Sequence, residues 1–185
     1  MPSTTISLIL CYMTAQKRKI LLSIPISGLI IMLYALIFQQ SGMSAEVSGD
    51  VSRSVVESMV LMLEDTFSID LPFNDSPEQI ERLNHFVRKS GHFFVYALMG
   101  LLVHSLALVW EQRGKGGLIV SWLVVIVMAA ADEWHQYFIP GRSAQVSDVL
   151  LDAAGAIFGM LVLRLIHGLF VSRQNPAHVS RKRRA

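Results

Sequence analysis

Residues 20–38 read ILLSIPISGLIIMLYALIF, nineteen consecutive positions without a charge. An α-helix rising 1.5 Å per residue needs about 20 such positions to cross ~30 Å of hydrocarbon. Three further stretches share this character: Phe93 to Trp110, Leu118 to Ala131 with a continuation toward Gln136, and Val149 to Val171. The third meets charge soonest, so its far end must lie among headgroups or inside protein. Of the 185 residues, 52% are hydrophobic and only 16% charged, a balance unsuited to a soluble domain of this length. The expected fold is all-α, an integral membrane bundle of four transmembrane helices.

The first stretch is followed by Ser41-Gly42-Met43-Ser44-Ala45, small residues of the kind found at a signal-peptide cleavage site. Its apolar length exceeds the usual 7–15 residues of a signal peptide, which favours an uncleaved anchor. Pro25 is expected near the start of that helix, where proline is best tolerated. Cys11 is the only cysteine, so an intramolecular disulfide, a thiolate metal cage and a CxxC redox pair are all excluded. Leu8-Ile9-Leu10 before it lacks the small residue of a lipoprotein signal.

The basic residues fall in blocks: Lys17 to Lys19, Arg113 with Lys115, Arg173, and Arg181 to Arg184. Lysine and arginine concentrate in cytoplasmic segments, and these blocks are read as topology signals; no nucleic acid partner is expected. The stretch from Gln39 to Gly91 carries nine acidic residues against four basic ones and is expected to be exported. The division is therefore a cytoplasmic amino terminus over residues 1–19, a membrane domain over 20–171 with an outer loop over 39–91, and a basic cytoplasmic tail over 172–185. Both termini inside requires an even number of spans, consistent with four. Within the outer loop, Val47, Val51, Val55, Met59, Met62 and Phe67 recur at helical spacing, which predicts an amphipathic helix lying on the membrane or capping the bundle. Ser76-Pro77-Glu78-Gln79 reads as a second helix start with Ser76 as N-cap, running into the second span.

Alternation across the membrane gathers most of the unusual residues on the outer side. Lys89 and His92 precede the second span. Asp132, Glu133, His135 and Gln136 end the third, Arg142 follows a Pro140-Gly141 turn, and Asp148 and Asp152 open the fourth. At about 100° per residue, Lys89, His92, Tyr96 and Gly100 share one stripe, and Asp132, His135 and Gln136 share another. Asp148, Asp152, Gly155 and Gly159 align on the fourth span, so two carboxylates stand above a GxxxG surface suited to close helix packing. Facing lipid, such carboxylates would be costly; inside the bundle they can pair with Lys89, Arg142 or a histidine. A structural role for them, locking helix packing through Arg142 and Lys89, accounts for them equally well. His85, His104, His167 and His178 stand outside the cluster, and Arg164 is read as snorkelling to the interface.

Several chemistries are open to this cluster. His92, His135, Asp132, Asp148 and Asp152 are metal-ligand types, but their spacing matches no compact signature such as HExxH, and neither a metal nor a cofactor is expected. His92, His135, Glu133 and Asp152 could supply a general acid and base. Arg142 and Lys89 could hold a phosphate, with Arg142 offering bidentate geometry. Phosphates at an outer leaflet belong to membrane lipids and lipid-linked envelope precursors.

These residues carry a resemblance. Arg88-Lys89-Ser90-Gly91-His92-Phe93 with Tyr96, Asp132-Glu133-Trp134-His135-Gln136-Tyr137-Phe138, Pro140-Gly141-Arg142, and Asp148-Val149-Leu150-Leu151-Asp152 with Gly155 and Gly159 resemble the VanZ-like family. Its members are small bacterial membrane proteins, and it is named for an accessory protein of teicoplanin resistance. Phe38-Gln39-Gln40-Ser41-Gly42 resembles the family's first outer segment, and the likeness runs from about Ile20 to Leu163. It implies a multi-pass protein of the bacterial cytoplasmic membrane and brings no defined reaction. The leading expectation is binding of an outer-leaflet lipid or envelope-precursor headgroup by Lys89, His92, Arg142 and the two aspartates. A membrane-embedded enzyme acting on a lipid-linked substrate is the first alternative, and a small transporter or scramblase the second.

Overall fold

The computed structural model describes residues 3–68 and 77–174. Among these the chain forms five helices: α1 (Ser3–Ser41), α2 (Ala45–Phe67), α3 (Pro77–Val109), α4 (Lys115–Tyr137) and α5 (Val146–Gln174). Four contain segments long and apolar enough to cross a membrane, over Met13–Ser41, Glu78–Val109, Lys115–Tyr137 and Val146–Leu169. The protein is thus an all-α, multi-pass membrane protein. Ser76 and the tail from Asn175 onward, including His178 and the Arg181 to Arg184 block, lie outside the described residues.

Helix lengths depart from expectation at one instructive place. α1 begins at Ser3, so Pro25 lies well inside it, not near its start. Proline removes one backbone donor and crowds the carbonyl four residues back, yet transmembrane helices accommodate it because neighbouring groups re-satisfy the freed backbone. The polar start at Pro77 and the second apolar stretch form one continuous helix, α3.

The chain crosses alternately, so α3 and α5 run parallel, as do α1 and α4. The pairings show it: Phe93 against Gly155 and Ala97 against Gly159, Tyr34 Oη donating to Met128 O at 3.3 Å. α3 and α5 share the most extensive interface. A methyl group on Gly155 would overlap the carbonyl of Phe93, one on Gly159 that of Ala97, and one on Gly100 the backbone of Ala156. Lipid tails are as apolar as leucine, so helices in a bilayer gain little from hiding greasy side chains from one another; small residues that let backbones approach supply the packing. The core around this contact is Tyr96, Met99, Ala156 and Met160, with Val125 and Ala129 from α4 and Ile37 from α1. Large apolar residues point outward instead: Ile31, Val127, Leu150 and Leu165 are 65–69% exposed, which suits a lipid surround.

The end remote from the acidic cluster is closed by polar contacts. α3 terminates with Gln112 N donating to Ala107 O at 2.9 Å and Glu111 N to Leu108 O at 3.0 Å, the Schellman arrangement. Glu111 occupies the left-handed position at φ 63°. Its carboxylate meets Lys19 Nζ at 3.0 Å, and that hydrogen bond holds the Glu111 carboxyl below its ordinary range. Trp110 Nε1 donates to Ser23 Oγ at 3.1 Å. Arg164 reaches the connection between α3 and α4, donating to Arg113 O at 2.5 Å.

α2 forms the expected amphipathic helix. Ser52 and Val56 are buried on the side that packs against α3, while Val51, Val55, Met59 and Met62 remain exposed along a neighbouring stripe.

Candidate functional site

The remaining end of the bundle assembles the polar residues. Four elements meet there: the last turn of α1, the first half of α3 with its entry from Arg88, the end of α4, and the start of α5 with the loop before it. Ion pairing divides them. Lys89 Nζ lies 2.5 Å from Asp148 Oδ1, and His92 Nδ1 lies 3.7 Å from Asp152 Oδ1. Asp132 is buried and accepts from Ser41 Oγ at 2.9 Å and Gln136 Nε2 at 3.2 Å. Glu133, also buried, accepts from the Gln145 backbone N–H at 2.7 Å and so anchors the loop that leads into α5.

Arg142 is placed by its turn. Pro140 and Gly141 hold the two central positions, Gly141 has φ 76°, and Arg142 N donates back to Ile139 O at 3.1 Å. Proline followed by a residue with positive φ is the type II pattern. The guanidinium reaches Gln136 Oε1 at 2.9 Å through Nη1, while Nε is buried without a hydrogen-bond partner. Among the described residues no carboxylate oxygen lies within 4.0 Å of it. Burial, and next the proximity of Arg88, lower the Arg142 pKa from its ordinary value. Arg88 likewise has no carboxylate oxygen within 4.0 Å among the described residues and sits 3.4 Å from His85 Nδ1.

Two pockets share Arg88, His92 and Arg142 as a common wall. The smaller, about 100 Å³, is polar and is lined further by His85, Lys89, Gln136, Ser143, Gln145 and Asp148. The larger, about 350 Å³, lies between α1, α2 and α3, where Leu33, Leu36, Ile37, Val51 and Val95 supply a largely apolar lining. Tyr96 completes its inner wall; it is 0% exposed, and its hydroxyl lies beside the Asp132 carboxylate.

The geometry selects among the expected pairings. Asp148 pairs with Lys89 and Asp152 faces His92, so Arg142 pairs with neither aspartate. His135 makes no ion-pair contact among the described residues and is stacked on Phe38 with ring centroids 3.8 Å apart. No group of three or more histidine, cysteine or acidic side chains stands in metal-binding geometry among the described residues. Gly155 and Gly159 pack α5 onto α3 beneath the aspartates. His104 is fully buried, its Nδ1 3.2 Å from Ser121 Oγ, far from the cluster.

Three contributors were not among the site residues read from the sequence. Arg88 is four residues before His92, a spacing that places both on one helix face and that a search for cation pairs would have found. His85 lines the polar pocket one turn earlier. Ser41 closes the acidic network from a helix whose register against α4 no local pattern encodes.

A membrane bundle with a buried acidic network, a shared arginine wall and paired carboxylate contacts across α3 and α5 is what fold and site define. The model of the VanZ/LLP1 family matches residues 26–167, and the chain belongs to that family. No curated protein and no solved structure matches the chain.

Proposed function

We propose that this VanZ-like membrane protein binds the phosphate-bearing headgroup of a lipid or lipid-linked envelope precursor. The single observation that carries the reading is Arg142: a partly buried guanidinium with an orphaned Nε and only an amide for a partner. A half-buried cation whose nearest acids, Asp132 and Glu133, act on it only from beyond ion-pair distance is costly unless a ligand supplies a closer counter-ion. Arg88 and His92 share its wall, Lys89 is neutralised by Asp148, and a polar pocket of about 100 Å³ offers room for a phosphoryl group. Arginine matches phosphate oxygens with paired hydrogen bonds.

The basic blocks at the opposite end, Lys17 to Lys19 and Arg113 to Lys115, support a bacterial cytoplasmic-membrane location with both termini inside. The site then faces the outer leaflet. The reading is tested by native mass spectrometry of detergent-purified protein with dodecyl phosphate. Charge-assisted hydrogen bonds contribute ~1.5–3 kcal/mol, so Arg142→Ala should weaken retention at least about tenfold. Equal retention by wild type and Arg142→Ala removes the reading.

A second reading, an enzyme acting on a lipid-linked substrate, is favoured by one contact. His92 lines both pockets and faces the buried Asp152 carboxylate at 3.7 Å, the relation of a base to the group that orients it. Turnover of phospholipids or wall precursors that is lost in His92→Gln supports it; the absence of turnover removes it.

A further inference from the structure

We propose that the pocket between α1, α2 and α3 holds one aliphatic chain of the same ligand, so that the site as a whole takes a phosphate-headed amphiphile, with the phosphate on Arg88 and Arg142 and the chain directed toward the bundle interior. This rests on the headgroup reading above and adds the chemical class of the rest of the molecule.

Three observations support it. The pocket is continuous with the cationic wall, because Arg88, His92 and Arg142 line both cavities. Its character changes along the helix axes: Arg88, Arg142, Gln40 and Ser48 lie toward the headgroup end, and Leu33, Leu36 and Val95 lie deeper. That order matches a lipid standing upright in its own leaflet. Its volume of about 350 Å³ falls at the lower end of the ~300–1,000 Å³ of ligand pockets, enough for a chain segment but cramped for two chains side by side.

α2 contributes Val51 and Ser48 to the rim, so the amphipathic helix serves as the outer wall of the pocket.

The chain does not supply the driving force in a bilayer, because it leaves one apolar medium for another. Its effect is positional: it selects ligands whose phosphate stands above a long, flexible tail. The contribution becomes visible when the ligand arrives from water, where each buried methylene is worth ~0.8 kcal/mol, about fourfold in affinity.

The experiment compares dodecyl phosphate, butyl phosphate and inorganic phosphate on the full-length protein in a non-ionic detergent, using wild type, Val95→Trp, Leu36→Trp and Arg142→Ala. Melting temperature and gel-filtration profile identify any variant that fails to fold. A dodecyl phosphate carrying a mid-chain diazirine adds a second measurement on wild type that needs no variant. The expected result is that the tryptophan variants weaken dodecyl phosphate at least about tenfold and leave butyl phosphate unchanged. The diazirine should label peptides containing Leu33 to Ile37 and Val95. Binding of dodecyl phosphate that depends on Arg142 but is indifferent to both tryptophans, with labelling elsewhere, overturns the chain compartment and leaves the headgroup reading intact. Binding of all three phosphates that is indifferent to Arg142→Ala overturns the headgroup reading, and the present proposal with it.

Discussion

Lys89 Nζ and Asp148 Oδ1 stand 2.5 Å apart and tie the start of α5 to α3 above the glycine contact. The side chains are 29% and 31% exposed, between the regimes of surface pairs, worth ~0.2–1 kcal/mol, and buried pairs, whose breakage costs ~3–5 kcal/mol. A double-mutant cycle with Lys89→Met and Asp148→Asn, read by thermal unfolding in detergent, should give a coupling of about 1–2 kcal/mol. No coupling would mean that Lys89 is available for the ligand, and the division of labour between Lys89 and Arg88 would be lost.

The contact between α3 and α5 makes a sharper demand. Since a methyl on Gly159 would overlap the Ala97 carbonyl, Gly159→Ala should force the helices apart at ~1–3 kcal/mol, the usual range for overpacking. Gly28 has open space around its Cβ position, so Gly28→Ala should be neutral or stabilising, by up to ~1 kcal/mol from helix propensity. Comparable melting temperatures for the two variants would contradict the packing described.

Gly141 controls Arg142 at one remove. At φ 76° a side chain costs ~1–2 kcal/mol, which the turn can escape only by shifting the residue that follows. Gly141→Ala should therefore lower stability by about that amount and weaken dodecyl phosphate binding in the direction of Arg142→Ala, although it removes no ligand-contacting group. Unchanged binding would show that the turn does not position the guanidinium.

Orientation is open to direct chemistry. In a Cys11→Ser background, Ser143→Cys marks the loop beside Arg142, and Gln112→Cys marks the loop between α3 and α4; both positions are exposed. A membrane-impermeant maleimide applied to intact cells should label the first and spare the second. The reverse pattern would place the site on the cytoplasmic face.

Spans were legible in the sequence because length and apolarity alone decide them. The stretch from Val149 to Val171 became α5 with three residues added at each end, and Gly155 and Gly159 announced a close helix contact. Pairings were less legible. Asp148 and Asp152 sit one turn apart on one face, yet each meets a different cation because Lys89 and His92 are themselves offset along α3. Their partners follow from the relative register of two helices, which no local spacing contains. His135 shares a helical stripe with Asp132, but an aromatic neighbour from α1 draws its ring onto Phe38. The apolar pocket was invisible for the same reason: its walls come from three helices, and each wall read singly is ordinary membrane-facing sequence.

The polar contacts of α1 include Lys19 with Glu111 and Ser23 with Trp110 toward one end, Ser41 with Asp132 at the other, and Tyr34 with Met128 between them. Between these ties Ile30, Leu33, Tyr34 and Ile37 lean on the core. The two sides of the cavity are therefore held differently: α3 meets α5 backbone to backbone at its glycines, whereas α1 is held by side chains alone. A change of one side chain on α1 alters that wall locally, while a change at a glycine displaces a whole helix.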